Sequence, residues 1–132
     1  MTAIAATLDR STFLRRALWV DACTCLATGT LLVAAASPLA SFLGLPPALL
    51  LCAGAALFPV AAFMAWLSLK RDVPRRGAWL AVLGNAAWVA GSALVLVVFS
   101  PTALGYAFVV AQAVVVAVLA ELEVAGLKRN AR

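Results

Sequence analysis

Two long stretches of this chain are almost free of charge, and they constrain its fold more than any other feature. Between Arg16 and Lys70 the only charged residue is Asp21, and between Arg76 and Glu121 there is none. The remaining charges gather in three clusters. Asp9, Arg10, Arg15 and Arg16 lie near the N-terminus, Lys70, Arg71, Asp72, Arg75 and Arg76 lie in the middle, and Glu121, Glu123, Lys128, Arg129 and Arg132 lie near the C-terminus. A helix needs about 20 apolar residues to cross about 30 Å of hydrocarbon. Each neutral stretch holds two such passes, broken at Ser37–Pro47 and at Ser100–Gly105.

Composition removes the soluble alternative. Of 132 residues, 66% are hydrophobic and 11% charged, where a soluble domain carries about 25% charged residues. That is too little polar side chain to coat a domain of this size, and the same count excludes intrinsic disorder. The pattern predicts an all-α bundle of four transmembrane helices. They fall at about 15–36, 47–69, 76–99 and 104–125, and residues 1–132 form a single membrane domain.

All ten Lys and Arg lie in the termini or the middle loop, and the two other loops have none. Basic residues stay on the cytoplasmic side, so both termini and the middle loop are expected there, in a bacterial-type inner membrane. Trp19, Trp66 and Trp79 lie within about one turn of a basic cluster, at headgroup level, with Phe42 and Tyr106 at the opposite level. Arg10, Arg15, Arg16 and the following apolar run resemble a secretory signal. The run contains Asp21 and exceeds the usual signal length, so an uncleaved first span is expected.

A faint internal repeat pairs Ser37-Pro38-Leu39-Ala40 with Ser100-Pro101-Thr102-Ala103, and Asp21 with Asn85 at nearly the same offset. Two tandem parallel helical hairpins would produce it, but Ser-Pro is also ordinary helix-ending chemistry. Helix association in lipid depends on close approach of small residues. Cys25–Gly29, Ala87–Gly91, Ala107–Ala111 and Ala113–Ala117 have that spacing, and Ala81, Gly84, Asn85, Trp88 and Ser92 form one stripe of the third span. Pro59, inside the second span, frees a backbone carbonyl and is expected to kink the helix, with a pocket forming near it.

Six polar or aromatic residues are candidates for a ligand site or a polar clamp: Asp21, Asn85, Trp88, Gln112, Glu121 and Glu123. A carboxylate in hydrocarbon is costly and finds a partner or a function. Asp21 shares a face with Cys25 and Thr28, and a hydrogen bond to Asn85 is plausible if the first and third spans adjoin. Pairing with Arg16, Arg75 or Arg76 is the alternative. Glu121 and Glu123 lie near the inner end of the fourth span, within reach of Lys128, Arg129 or the middle-loop arginines. Convergence of one of them with Asp21 would make a carboxylate pair. Gln112 needs an interhelical partner, and Trp88 is a mid-membrane aromatic whose N–H wants a packed partner or a ligand.

No catalytic residue set is legible. Without histidine there is no Ser-His-Asp or Cys-His arrangement and no imidazole for haem, zinc or copper, so no metal and no cofactor is expected. Cys23 and Cys25 point about 200° apart on a helix and cannot grip one ion. The basic residues sit where topology demands them, which leaves membrane lipids rather than nucleic acid as their partners.

In size and layout the chain superficially resembles the small multidrug resistance transporters, with Asp21 nearest to their membrane-embedded glutamate. It resembles more closely a family of small bacterial four-helix integral inner-membrane proteins. Leu43-Gly44-Leu45-Pro46, Asn85-Ala86-Ala87-Trp88, Pro101-Thr102-Ala103-Leu104-Gly105, Gln112-Ala113, Glu121-Leu122-Glu123 and Gly126-Leu127-Lys128-Arg129 carry that resemblance. It implies a fold and a location without an activity. The sequence therefore favours a non-enzymatic structural or accessory component that self-associates or docks on a larger membrane complex. The alternative is binding or transport of a small hydrophobic ligand such as a lipid, quinone or isoprenoid, with proton-coupled transport as a weaker form of it.

Overall fold

The computed structural model describes residues 2–130, with side chains from Thr12 to Arg129. Its five helices are α1 (Thr2–Ala34), α2 (Ala36–Leu43), α3 (Pro47–Ser68), α4 (Arg75–Phe99) and α5 (Ala103–Asn130). Four of them, α1, α3, α4 and α5, are long and apolar enough to cross a membrane, so both ends of the chain lie on the same side of the bundle.

The helix boundaries follow from local chemistry. Pro47 opens α3 at a position where its missing N–H is not needed, and Pro74, in extended backbone, sets the start of α4. α1 starts earlier than expected because no glycine or proline precedes Gly29 to stop it. The larger departure is α2, which occupies most of the expected break at Ser37–Pro47. Pro38 falls in the first turn of α2, where helices tolerate proline. Gly44 ends α2 in the left-handed conformation (φ 68°), and its N–H donates to the Ala40 carbonyl at 2.9 Å.

α1 and α3 form one antiparallel pair and α4 and α5 the other. α1 also packs along α5, whereas α3 approaches α4 only slightly. The helices thus make an incomplete ring in which α1 and α4 stand diagonally opposed. Contact between α1 and α3 is closest at Gly29 and Gly54: a Cβ added to Gly29 would lie 2.9 Å from the Gly54 carbonyl oxygen. The small-residue spacing at Cys25–Gly29 is used here, while Ala87 and Gly91 remain exposed.

The interior divides into two apolar clusters. Leu14, Leu18, Met64, Leu67, Ala78 and Ala81 fill the end that carries the termini. Leu32, Leu43, Leu45, Leu50, Leu57 and Val109 fill the opposite end. At the termini end, Lys70 Nζ lies 4.5 Å over the Trp66 ring and Arg129 Cζ 4.3 Å over Phe13, an interfacial arrangement of cations and rings. At the opposite end the second hairpin is fastened to α2. Thr102 N–H donates to the Leu43 carbonyl at 3.1 Å and Thr102 Oγ1 to the Phe42 carbonyl at 2.8 Å, while Gly105 lies directly against the Leu43 carbonyl. The two Ser-Pro segments of the faint repeat therefore differ: one lies within α2, the other in a turn.

Ser100 caps α4 at φ 43°, in the left-handed region. For a residue with a Cβ this costs roughly 1 kcal/mol, and glycine gives part of it back through a freer unfolded chain. Ser100→Gly is expected to raise stability by about 0.5 kcal/mol, read as a higher thermal midpoint in detergent. A lower midpoint would contradict the strain.

Candidate functional site

Asp21 of α1, Asn85 of α4 and Glu123 of α5 meet in the layer between the two apolar clusters. Asn85 Nδ2 donates to Asp21 Oδ2 at 2.6 Å and to Glu123 Oε2 at 3.2 Å. Cys25 Sγ, one turn beyond Asp21, donates to Asp21 Oδ1 at 3.5 Å. The exposures of Asp21, Asn85 and Glu123 are 1%, 5% and 0%. Glu123 Oε1 is buried with no hydrogen-bond partner, and among the described residues no lysine or arginine lies within ion-pair distance of either carboxylate. Arg15 is used elsewhere: its Nε donates to the Ser68 carbonyl at 2.9 Å.

The Asp21–Asn85 hydrogen bond expected from the sequence is present, while the premise of adjoining helices and the expected placing of Glu123 are corrected. The Asp21–Asn85 bond does not need adjoining helices, because it spans the diagonal of the ring, where two short side chains fill the gap between α1 and α4. Glu123 does not sit at the interface with the C-terminal cations but points inward, whereas Glu121 is exposed and apart from the cluster. Residues two apart on a helix point in nearly opposite directions, so only one of the two glutamates can enter.

A second polar group lies farther from the termini. Trp88 Nε1 donates to Gln112 Oε1 at 2.7 Å. Gln112 Nε2 donates to Ser92 Oγ and to the Val109 carbonyl, each at 2.9 Å, and Ser92 Oγ donates to the Trp88 carbonyl at 2.8 Å. Every donor of this trio is therefore engaged. Beside it a cleft of about 410 Å³ opens between α3 and α4, walled by Leu49, Leu50 and Ala53 on one side and Gly84, Ala87 and Gly91 on the other. A Cβ added at Gly84 or Gly91 meets nothing within 4 Å. Thr28, Trp88 and Gln112 line both this cleft and a smaller chamber of about 140 Å³ that reaches Asp21 and Cys25.

Pro59 does not border the cleft. It is exposed on the outer face of an unbroken α3, and the opening arises because α3 and α4 meet only near their short connection. The sequence predicts a pocket lined by Trp88, Asn85, Asp21 and Gln112 beside Pro59. Trp88 and Gln112 do line the cleft and Asp21 the adjoining chamber, but the sequence did not disclose the opening between α3 and α4. Its available signal was the pair Gly84 and Gly91 flanking Trp88 on one helix face, which withholds side chains where a neighbour would otherwise pack. Cys23 and Cys52 are exposed and Cys25 is buried, all as free thiols. The described residues contain no group of three metal-ligating side chains.

No family model, curated protein or solved structure matches the chain. Any functional reading therefore rests on the buried carboxylate–amide layer and the lateral cleft.

Proposed function

We propose that this protein binds a small hydrophobic molecule of the lipid, quinone or isoprenoid class in the cleft between α3 and α4, as a multi-pass protein of a bacterial-type inner membrane with both termini cytoplasmic. The cleft carries the reading. Its volume, about 410 Å³, lies in the range of small-molecule sites, roughly 300–1,000 Å³. Its walls are apolar, with a polar strip at Trp88, Ser92 and Gln112. Because the donors of that strip are engaged internally, it offers a ligand only acceptor lone pairs. Thr28 adds a hydroxyl to the same wall. An apolar chain with one small polar end matches this division. Orientation rests on the basic residues, all ten of which lie on the side of the termini and the middle loop.

Gly84→Leu and Gly91→Leu place side chains in the open space without displacing a neighbour. Native mass spectrometry of protein extracted gently with its lipid should show a bound non-protein mass in the wild type. That mass should be lost from both variants while the thermal midpoint holds or rises. A bare wild-type protein, or an adduct indifferent to both substitutions, would refute the cleft as a binding site.

The accessory reading keeps one supporting observation, the outward-facing Ala107 and Ala111 of α5. If they form a self-association seam, Ala107→Leu with Ala111→Leu should yield folded monomers by light scattering. Unchanged assembly would remove that seam.

A further inference from the structure

The carboxylate–amide layer has an unbalanced account of charge and hydrogen bonds. With both carboxyl groups ionised, two negative charges would share one amide nitrogen inside hydrocarbon with no cation beside them among the described residues, and a buried charge of either sign is costly unless paired. Among the described residues only Asn85 and the weak Cys25 thiol donate to the pair. Three donor hydrogens serve four carboxylate oxygens, and the one left over, Glu123 Oε1, is buried and unpartnered in a side chain of 0% exposure. Asp21 has both oxygens satisfied and is the better anion.

The occupant that fits is a proton rather than a metal cation. Among the described residues no group of three His, Cys, Asp or Glu side chains is placed to hold a metal ion, and Asn85 turns its N–H₂ towards both carboxylates. The alternative amide orientation would set its oxygen against two acceptors. Among the described residues the charged and titratable groups that face the site are few. α1 supplies Asp21 and Cys25, α5 supplies Glu123, and α3 contributes apolar residues such as Leu57 and Met64 from the flanking clusters. α4 contributes only the neutral Asn85.

We propose that Asp21, Asn85 and Glu123 form a binding site for a single exchangeable proton within the membrane-spanning bundle. The proton joins a Glu123 carboxylate oxygen, the only bond made is O–H, and the pair's charge falls from two negative units to one. On the termini side the site is closed by Leu14, Leu18, Met64 and Leu67. On the other side, Asp21 and Cys25 border the chamber that also touches Thr24 and Thr28, which is the route for exchange. That chamber shares Trp88 and Gln112 with the cleft, so the proton site and the apolar cleft are separated by one hydrogen-bonded pair of side chains.

Infrared spectroscopy of the full-length protein in lipid nanodiscs tests the proposal, because a carboxylic-acid C=O stretch is distinct from the carboxylate bands. At neutral pH the wild type should show one acid carboxyl per chain, and its band should shift after transfer to D₂O. Because the proton sits on Glu123, Glu123→Gln should abolish the band and leave Asp21 ionised against neutral donors, whereas Asp21→Asn should keep the acid on Glu123 and shift the frequency of its band. Folding of each variant is checked by its circular dichroism and thermal midpoint. A wild type without the band, a wild type with two acid carboxyls per chain, a band that survives Glu123→Gln unchanged, or one lost on Asp21→Asn would overturn a single proton held on Glu123. A band that does not shift in D₂O would overturn its exchangeability.

Discussion

Asn85→Leu is expected to destabilise the folded protein by about 3–5 kcal/mol, the cost of stripping the partner from buried charged groups. Two effects of different size compete in that estimate. An interhelical hydrogen bond inside a membrane is worth only about 0.6 kcal/mol on average, because the separated helices also find partners. Asn85, however, supplies donors to two carboxyl groups at once, at 2.6 and 3.2 Å, in a layer between two apolar clusters. Removing it leaves buried acceptors unsatisfied, and that penalty, rather than the lost bonds, dominates. Thermal or denaturant unfolding in detergent reads the effect, and a loss below about 1 kcal/mol would place the network among ordinary membrane hydrogen bonds. Combining Asn85→Leu with Asp21→Leu and Glu123→Leu should restore much of the stability, because replacing every partner by apolar groups of similar shape is nearly neutral.

The same substitution at four glycines should separate into two opposite outcomes. At Gly29 a Cβ would lie 2.9 Å from the Gly54 carbonyl oxygen and 3.1 Å from Leu57 Cβ. At Gly54 it would lie 2.9 Å from both Leu32 Cβ and Val33 Cγ2. Val33 is exposed and can turn its methyl aside, but the carbonyl oxygens and Cβ atoms cannot withdraw, so Gly29→Leu or Gly54→Leu must push α1 and α3 apart. Overpacking typically costs about 1–3 kcal/mol. Here it falls where two backbones touch in the closest helix pair, and the upper end of that range or beyond is expected. Gly84→Leu and Gly91→Leu meet open space and should be neutral, or stabilising by up to about 1 kcal/mol through helix propensity. Unfolding midpoints for the four variants decide the matter. A comparable loss at Gly84 or Gly91 would mean that the cleft closes in the membrane, and harmless leucines at Gly29 or Gly54 would mean that α1 and α3 are not in backbone contact.

The cleft and the polar layer depend on each other through this packing. α1 is held tightly to α3 at the glycine crossing, and α2 is latched to the second hairpin through Thr102 and Gly105. With these edges secured, the widest separation falls between α3 and α4, beside Trp88. The carboxylates lie deeper, one hydrogen-bonded pair away, where α1, α4 and α5 converge.

Much of this was determined by the sequence alone. Charge can be buried in hydrocarbon only at high cost, so the neutral runs from Ala17 to Leu69 and from Gly77 to Ala120 specify the number of spans and their approximate ends. Asp21 and Asn85 stand out in those runs for the same reason, as does the need of Gln112 for a partner. The tertiary structure decided what depends on helix rotation and on which edges of the ring close. Glu121 and Glu123 are indistinguishable by composition and lie two residues apart, yet one faces outward and the other completes the buried pair, because a helix turns about 200° between them. Whether α1 meets α4 across a shared edge or across the diagonal is likewise absent from any one helix. α2 escaped because its proline sits in a first turn, where it permits a helix instead of ending one. Trp88 and Gln112 were legible as pocket lining, but the place of the cleft was not: a cavity is a property of the space between α3 and α4, and spacing along a single helix records which residues are small, not whether a neighbour comes close enough to use them.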